Sequence, residues 1–262
     1  MTAYVAEGVD RIRRNAPLVH NVTNLVAMTL SANVLIAVGA SPIMSAAPEE
    51  TGELAAMSGA LVVNIGTLTR AWIAGAEAAV AGARRAGRPW LLDPVGVGAT
   101  TFRRETAQAL VAQRPRIIRG NASEILALAQ GAGGGKGVDS TAGVDAALDA
   151  ARALAVATGA VVAVTGAVDL VTDGSRTRRV ENGHVLLTRT TASGCALSSL
   201  IGAWAAVLDD PLEATSGALA AYGVAAEIAA GTATGCGSFV AALLDALGGL
   251  NGATAARMAR IT

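Results

Sequence analysis

The chain has 262 residues, of which 52% are hydrophobic and only 3% aromatic, and its formal net charge at pH 7 is zero. This balance gives no attraction to nucleic acid or to an anionic membrane, and so few aromatic side chains leave little for base stacking. With two histidines, two cysteines and Lys136 as the single lysine, the sequence excludes a histidine-rich zinc site and a disulfide framework, and it predicts a cytoplasmic protein.

The most apolar stretch, residues 25–44, is interrupted by polar and turn-forming residues: Ser31, Asn33, Gly39, Ser41 and Pro42. These interruptions predict a helix and a turn of a globular protein rather than a membrane span. We therefore expect no membrane partner.

Short apolar strands are then predicted to alternate with helices. The strands end at Gly66, Asp93, Asn121 and Gly166, and the first is followed by a helix capped by Thr67 and Thr69 that runs to Arg85. Continuous apolar runs of this kind are typical of parallel strands buried on both faces. The sequence therefore predicts an α/β fold, a largely parallel central sheet flanked by helices, in one domain over residues 1–262.

The pattern changes after Thr165. Turn signals at Asp173-Gly174 and Asn182-Gly183 predict antiparallel hairpin strands on either side of them. From Gly194 onward the sequence predicts helices almost throughout, with breaks near residues 210–211, 231–237 and 248–249. The predicted sheet therefore has some antiparallel strands beside the parallel ones.

Polar residues follow the predicted strands at their carboxyl ends: Asn64, Asp93, Asn121, Glu124 and Thr165. Each alone is typical of a helix cap. Together they indicate a ligand site, because open α/β sheets bind ligands at this edge.

Two of these positions form motifs with chemical meaning. Asp93-PVGVG places a carboxylate before a loop of exposed backbone N–H groups, and Asn121-x-x-Glu124 places an amide and a carboxylate one helical turn apart. The alternative for the second motif is a capping box. Arg119 adds a planar donor group for phosphate, so the set suits Mg²⁺-nucleotide chemistry.

A glycine-rich segment, Gly131-AGGGKGV, resembles a phosphate loop but departs from the Walker pattern, because Gly137 follows the lysine. We interpret it as a mobile loop after a helix, with phosphate binding as the alternative.

The segment Ser193-Gly194-Cys195 is predicted to begin a buried helix. Free N–H groups at a helix N-terminus stabilise a bound anion such as a transferring phosphoryl group. The same position lowers the pKa of a thiol, so Cys195 is expected to act as a weak base, with core packing as the alternative.

Taken together, several segments resemble the hydroxyethylthiazole kinase family, which has a ribokinase-like fold. In chain order they are Pro17-LVHNVTN, Ala32-N, the GASPIM run ending at Met44, Asn64-IGT, Asp93-PVGVG, Arg119-GNASE, Lys136-GVDS, Val164-TG, the DLVTDG run ending at Gly174, and Ala192-SGC. The resemblance implies transfer of the ATP γ-phosphate to the hydroxyl of 4-methyl-5-(2-hydroxyethyl)thiazole, with Mg²⁺, in a homotrimer whose active sites lie between subunits.

The resemblance also implies residue roles. Arg119 and Thr165 would bind ATP, and Asp93 and Glu124 would serve the metal–phosphate group. Gly194 would offer its backbone N–H, and Cys195 would occupy the position of the aspartate base in sugar kinases of this fold. The residues expected on the thiazole are Met44, Ala192, Asn24 and Asn64.

Two positions depart from the family pattern. Ala192 and Ser193 stand where the family usually has glycine and threonine, so Ala192 adds a methyl group where substrate or anion is expected to approach. Cys236 stands where proline is common, and we expect it to be a packing residue.

Three other functions fit parts of the pattern. The first is a kinase of the same fold for hydroxymethylpyrimidine or a pyridoxal-like alcohol, and Cys195 in place of aspartate argues against it. The others are a nucleotide-dependent hydrate dehydratase and a non-catalytic nucleotide-binding protein.

Overall fold

The computed structural model describes residues 2–131 and 144–262, so Lys136 and most of its glycine-rich segment lie outside the described residues. Within these ranges the centre of the molecule is an eight-stranded sheet. Its strands are β1 (Leu18–Val22), β2 (Ser41–Met44), β3 (Ala60–Asn64), β4 (Trp90–Asp93), β5 (Ile117–Asn121), β6 (Val161–Thr165), β7 (Asp169–Thr172) and β8 (Thr177–Val180).

The sheet is mostly parallel. Its order is β2-β1-β3-β4-β5-β6-β7-β8, with parallel pairing from β2 to β6 and antiparallel pairing of β7 with β6 and β8. The predicted architecture is therefore confirmed, including the hairpin at Asp173-Gly174. β1 and β2 give no clear signal in the sequence, because His20, Asn21 and Pro42 interrupt their apolar residues.

Helices cover both faces of the sheet. They are α1 (Ala3–Asn15), α2 (Met28–Val38), α3 (Thr51–Met57), α4 (Arg70–Arg85), α5 (Thr101–Val111), α6 (Ala122–Gly131), α7 (Val144–Thr158), α8 (Ser193–Ala205), α9 (Pro211–Ala230), α10 (Cys236–Gly249) and α11 (Gly252–Met258). Successive strand side chains point to opposite faces. In β3, Val62 therefore belongs to the core under α1, α2 and α8–α11, and Val63 to the core under α3–α7.

One predicted hairpin strand is wrong. The Asn182-Gly183 turn leads into a short 3-10 helix, Val185–Arg189, instead of a returning strand. The physical reason is a set of hydrogen bonds that ties Asn182 and Gly183 to other parts of the chain instead of to a hairpin partner. The Asn182 amide bonds Glu227, the Met258 carbonyl and the Arg260 N–H, and the Gly183 N–H also donates to Glu227.

Helix α8 passes through the core and fixes the position of its own N-terminus. Every residue from Ala196 to Trp204 is buried. A helix that is apolar all round is a core element. Ser198 of α8 donates a hydrogen bond to Asp93 at the end of β4, so the first turn of α8 faces the carboxyl edge of the sheet.

In the part of the chain that the structure describes, no single helix is long and apolar enough to cross a membrane. Helices α10 and α11 pass that test only as a pair bent by 114°, and by length and composition alone.

Candidate active site

The predicted site residues at the strand ends lie side by side. Asn64 ends β3 opposite Asp93 at the end of β4, and Asn121 ends β5 opposite Thr165 at the end of β6. Parallel pairing therefore brings these side chains to one edge, as expected from the sequence.

Asp93 is the centre of a buried polar network. Its Oδ2 accepts hydrogen bonds from Asn64 Nδ2 at 2.8 Å and Ser198 Oγ at 2.8 Å, and Arg119 Nη1 lies 3.8 Å away. Its Oδ1 is buried and has no partner among the described residues. Burial raises the pKa of Asp93 to about 6, although the Arg119 charge and the bonds from Ser198 and Asn64 oppose the rise.

This pKa predicts a pH-dependent cost to stability. The folded value of about 6 lies above the ordinary 3.8, so the contribution of Asp93 to stability falls as pH rises from about 4 to about 6. We expect the free energy of unfolding of Asp93→Asn, which cannot ionise, to rise relative to that of the parent by about 2 kcal/mol between about pH 4.5 and pH 8. Urea unfolding of both metal-free proteins measures this, and a difference that stays constant with pH would contradict it.

Arg119 lies over the first turn of α8. Its Nη2 donates to Thr165 Oγ1 at 2.6 Å, and the arginine is 9% exposed. A Cβ atom at Gly194 would stand 2.8 Å from Arg119 Nη1, so a side chain at this position would require the guanidinium to shift. The guanidinium and the helix N-terminus together make an electropositive wall.

That wall faces a cavity of about 560 Å³, a size typical of small-molecule sites. Arg119, Asn121, Thr165 and Gly194 line it, together with Asp169 and Tyr222. The structure therefore brings the two predicted ATP-binding residues, Arg119 and Thr165, together with Gly194 around one space.

Glu124 forms the capping box that was the alternative for its motif. Asn121 Oδ1 accepts from the Glu124 N–H, and Glu124 Oε2 accepts from the Asn121 N–H, each at 2.9 Å. Its Oε1 also accepts from the Gly96 N–H at 2.9 Å. The carboxylate therefore joins the Asp93-PVGVG loop to the start of α6.

Cys195 lies in the first turn of α8, as expected, and is half-buried. Its sulfur accepts a hydrogen bond from Asn24 Nδ2 at 3.3 Å. The expected lowering of its pKa is wrong: burial and the Asp93 charge raise the pKa of the Cys195 thiol, and bonds from Asn64 and Asn24 and the Arg119 charge oppose them only in part.

Ala192 precedes α8 with φ of 65°, in the left-handed region. A family glycine at this position fits that conformation without strain, whereas alanine does not. The departure at Ala192 therefore changes the backbone energy of the loop before α8.

We expect Ala192→Gly to raise the free energy of unfolding by about 1 kcal/mol. Ala16→Gly is the matched control, because Ala16 also has positive φ, 41°, at the end of α1. Denaturant unfolding should show similar gains for both. A gain at Ala16 alone would mean that Ala192 is not strained.

Of the predicted site residues, only Arg119, Thr165 and Gly194 line the cavity, and the others do not: Asn24, Met44, Asn64, Asp93, Glu124, Ala192 and Cys195. Met44 ends the edge strand β2 and is half-buried, while Leu25 and Val26, in the loop after β1, are 76% and 63% exposed. Cys236 is also exposed, so its expected packing role is wrong.

Three polar residues of the site were given no role in the sequence prediction, although Asp169 begins the DLVTDG run. Ser198 lies one turn after Gly194 on α8, and this helical spacing is the only signal that could have identified it. Asp169 accepts from the Gly166 N–H at 2.9 Å, and burial raises its pKa to about 6. Tyr222 of α9 donates to the Ser193 carbonyl, which holds the start of α8.

Comparison with known proteins assigns the family. Residues 9–252 match the model of the hydroxyethylthiazole kinase family. A hydroxyethylthiazole kinase of Cereibacter sphaeroides is 56% identical over 253 residues, which cover 97% of this chain and 96% of that protein.

Solved structures agree with this assignment. The structure of a hydroxyethylthiazole kinase protein from Pyrococcus horikoshii OT3 superposes with a TM-score of 0.92 at 40% identity, covering 99% of this chain and 98% of that one. A ribokinase-like superfamily protein from Enterococcus faecalis, 12% identical with a TM-score of 0.66, covers 94% of each chain and shares the fold. The chain therefore belongs to the hydroxyethylthiazole kinase family.

Proposed function

We propose that the chain transfers the γ-phosphate of ATP to the hydroxyl of 4-methyl-5-(2-hydroxyethyl)thiazole, in thiamin salvage in the cytoplasm. The observation that carries this proposal is the thiol of Cys195 on the first turn of α8, at the carboxyl edge where a family kinase would carry out the transfer. Membership in the family supplies the identity of the alcohol.

The cavity is the proposed ATP site. Arg119 and Thr165 would hold the phosphates, and the Gly194 N–H in the first turn of α8 would donate to a transferring oxygen. First-turn N–H groups have no carbonyl partner within their own helix, so they are free to bind an anion. Together with the Arg119 guanidinium, they oppose the negative charge that spreads over the phosphoryl group during transfer.

Asp93 and Glu124 are the proposed residues for Mg²⁺. The buried Asp93 Oδ1 without a partner fits such a role, and oxygen is the donor that this ion prefers. Within residues 2–131 and 144–262 there is no group of three or more such ligands, which fits an ion held mainly by phosphates and water. When bound, Mg²⁺ would neutralise charge on the phosphate oxygens.

Cys195 is the proposed base. The alcohol oxygen forms a bond to the γ-phosphorus, the bond from phosphorus to the ADP oxygen breaks, and the alcohol proton passes to the Cys195 thiolate. Since the thiol has a raised pKa, only a small fraction is thiolate near neutrality. A loose transition state needs little deprotonation early, so a weak base suffices.

The thiazole end of the site is proposed to lie between subunits of a homotrimer, with Met44, Ala192, Asn24 and Asn64 near the ring. The exposed Leu25 and Val26 beside the carboxyl edge support this, because apolar side chains of that size favour burial in an interface.

Assembly is testable by substitution at this surface. We expect light scattering to give a trimer for the parent chain, and Leu25→Asp with Val26→Asp to weaken assembly and lower activity together. Val156→Asp is the matched control, because Val156 is equally exposed, 74%, on α7. A fully active monomer would refute the intersubunit site.

The substrate is tested by rate measurements with Mg²⁺-ATP and each of three alcohols. We expect the highest kcat/KM with the thiazole alcohol and much lower values with hydroxymethylpyrimidine and pyridoxal. A preference for either of the latter would assign the chain to a different kinase activity of the same fold.

A further inference from the structure

The side chain of Asn24 has one orientation that satisfies its neighbours. Its Oδ1 accepts from the Ala27 N–H at 2.9 Å, so its Nδ2 must face the other way. That nitrogen donates to Asn64 Oδ1 at 2.9 Å and to Cys195 Sγ at 3.3 Å. Both amide hydrogens of Asn24 are therefore used inside the protein.

The hydrogen bonds of Asn64 fix which side-chain atoms donate and which accept in this network. Its Oδ1 accepts from Asn24 and from the Gly66 N–H at 2.9 Å, and its Nδ2 donates to Asp93 Oδ2. Because the Asn24 nitrogen has no acceptor capacity, the sulfur of Cys195 can only accept from it. The thiol hydrogen must then point away from Asn24.

The position of Asn24 is also fixed by packing. Asn24 is 4% exposed and Asn64 1% exposed. A Cβ atom at Gly66 would stand 2.7 Å from the Cβ, Cγ and Nδ2 atoms of Asn24, so the glycine leaves room for the amide.

We propose that Asn24 is the positioning residue of Cys195, holding its sulfur by an N–H···S hydrogen bond so that the free side of the sulfur faces the alcohol. This inference rests on the proposed catalytic role of the thiol. It replaces a contact between the Asn24 amide and the thiazole, because both amide hydrogens are already bonded. Asn64 in turn holds Asn24.

The charged and titratable groups around the sulfur come from three other elements. Asp93 of β4 raises the pKa of Cys195, and Arg119 of β5 lowers it, while Tyr222 of α9 is neutral because its own pKa is raised by burial. Removal of the Asn24 donor leaves all three in place, so a change in the pKa of the thiol reports lost hydrogen bonds to the sulfur, the one from Asn24 itself and the one from Asn64, which Asn24 holds.

The test measures the thiol directly, without substrate. Cys195 and Cys236 are the two cysteines of the chain, so Cys236→Ser leaves a single thiol. In that background, the rate of alkylation by iodoacetamide is followed against pH. We expect Asn24→Leu to raise the midpoint of this profile by about half to one pH unit, the size of one hydrogen bond. The midpoint, unlike the rate, does not depend on access to the sulfur.

Two further variants show whether a shift in the midpoint comes from Asn24 itself or from a general disturbance of the fold. Gly66→Ala displaces Asn24 while keeping its amide, and it should shift the midpoint in the same direction. Asn21→Leu is the matched control, because Asn21 is a buried asparagine of β1 whose amide bonds the Val19 carbonyl and Ser199 Oγ instead of the sulfur. We expect Asn21→Leu to leave the midpoint unchanged. An unchanged midpoint in both Asn24→Leu and Gly66→Ala would overturn the proposal.

Steady-state kinetics separate positioning from substrate binding. We expect Asn24→Leu to lower kcat several-fold and leave KM for the alcohol nearly unchanged. A raised KM with an unchanged alkylation midpoint would assign Asn24 to the substrate instead. If Cys195→Ala proved fully active, the proposed base would fail, but the shifted midpoint would still establish the contact between Asn24 and the thiol.

Discussion

Replacing Glu124 by glutamine is expected to lower turnover by about 10²–10³-fold, the usual effect of removing one group that stabilises transferring charge. Glutamine keeps one oxygen for a backbone N–H but places an NH₂ group against the other, at Gly96 or Asn121. We therefore expect a stability cost of only about 1 kcal/mol. Turnover against Mg²⁺ concentration and thermal unfolding measure the two effects.

The control for this prediction removes a cap elsewhere. Asn251 caps α11 by accepting from the Thr254 N–H at 2.9 Å, so Asn251→Ala should cost similar stability without loss of turnover. Full activity of Glu124→Gln at low Mg²⁺ would contradict the metal–phosphate role.

Replacing Cys195 by alanine is expected to lower turnover by about 10²-fold, at the lower end of general-base effects, because the raised pKa leaves little thiolate. Alcohol binding should stay nearly intact. Cys195→Asp places an ionised carboxylate at the same point and should keep or raise turnover near neutral pH.

The pH dependence distinguishes the two bases. Since the thiolate forms only above the raised pKa, turnover of the parent chain should rise toward alkaline pH, whereas Cys195→Asp should lose this dependence. Steady-state kinetics at fixed Mg²⁺-ATP measure both. Equal turnover of Cys195→Ala and the parent would mean that the thiol is a packing residue.

Sequence patterns predicted the parallel strands because these are buried on both faces and therefore apolar throughout. β1 and β2 were not predicted. In β1, the polar residues His20 and Asn21 are buried through hydrogen bonds to Ser45 and Val19 rather than through apolar packing, so the strand is not apolar throughout. The predicted hairpin beyond β8 was wrong because Asn182 forms hydrogen bonds with α9 and with the chain near Arg260, which are distant in sequence.

For the site, the sequence predicted which side chains lie side by side, but it did not predict their pKa values or the orientation of their hydrogen bonds. The edge of a parallel sheet brings Asn64 beside Asp93, and this follows from strand ends alone. The raised pKa of Cys195 does not follow, because it depends on burial and on the distance to Asp93. The orientation of the Asn24 amide could not be predicted from the sequence either, because it depends on the hydrogen bond from the Ala27 N–H.

The measurement that tests the central claim most directly is ³¹P NMR of the parent chain with ATP, Mg²⁺ and the thiazole alcohol. We expect ADP and a phosphate monoester of the hydroxyethyl group to appear in equal amounts, and both to slow together in Glu124→Gln. ADP with inorganic phosphate and no monoester, or no turnover of ATP at all, would contradict the account.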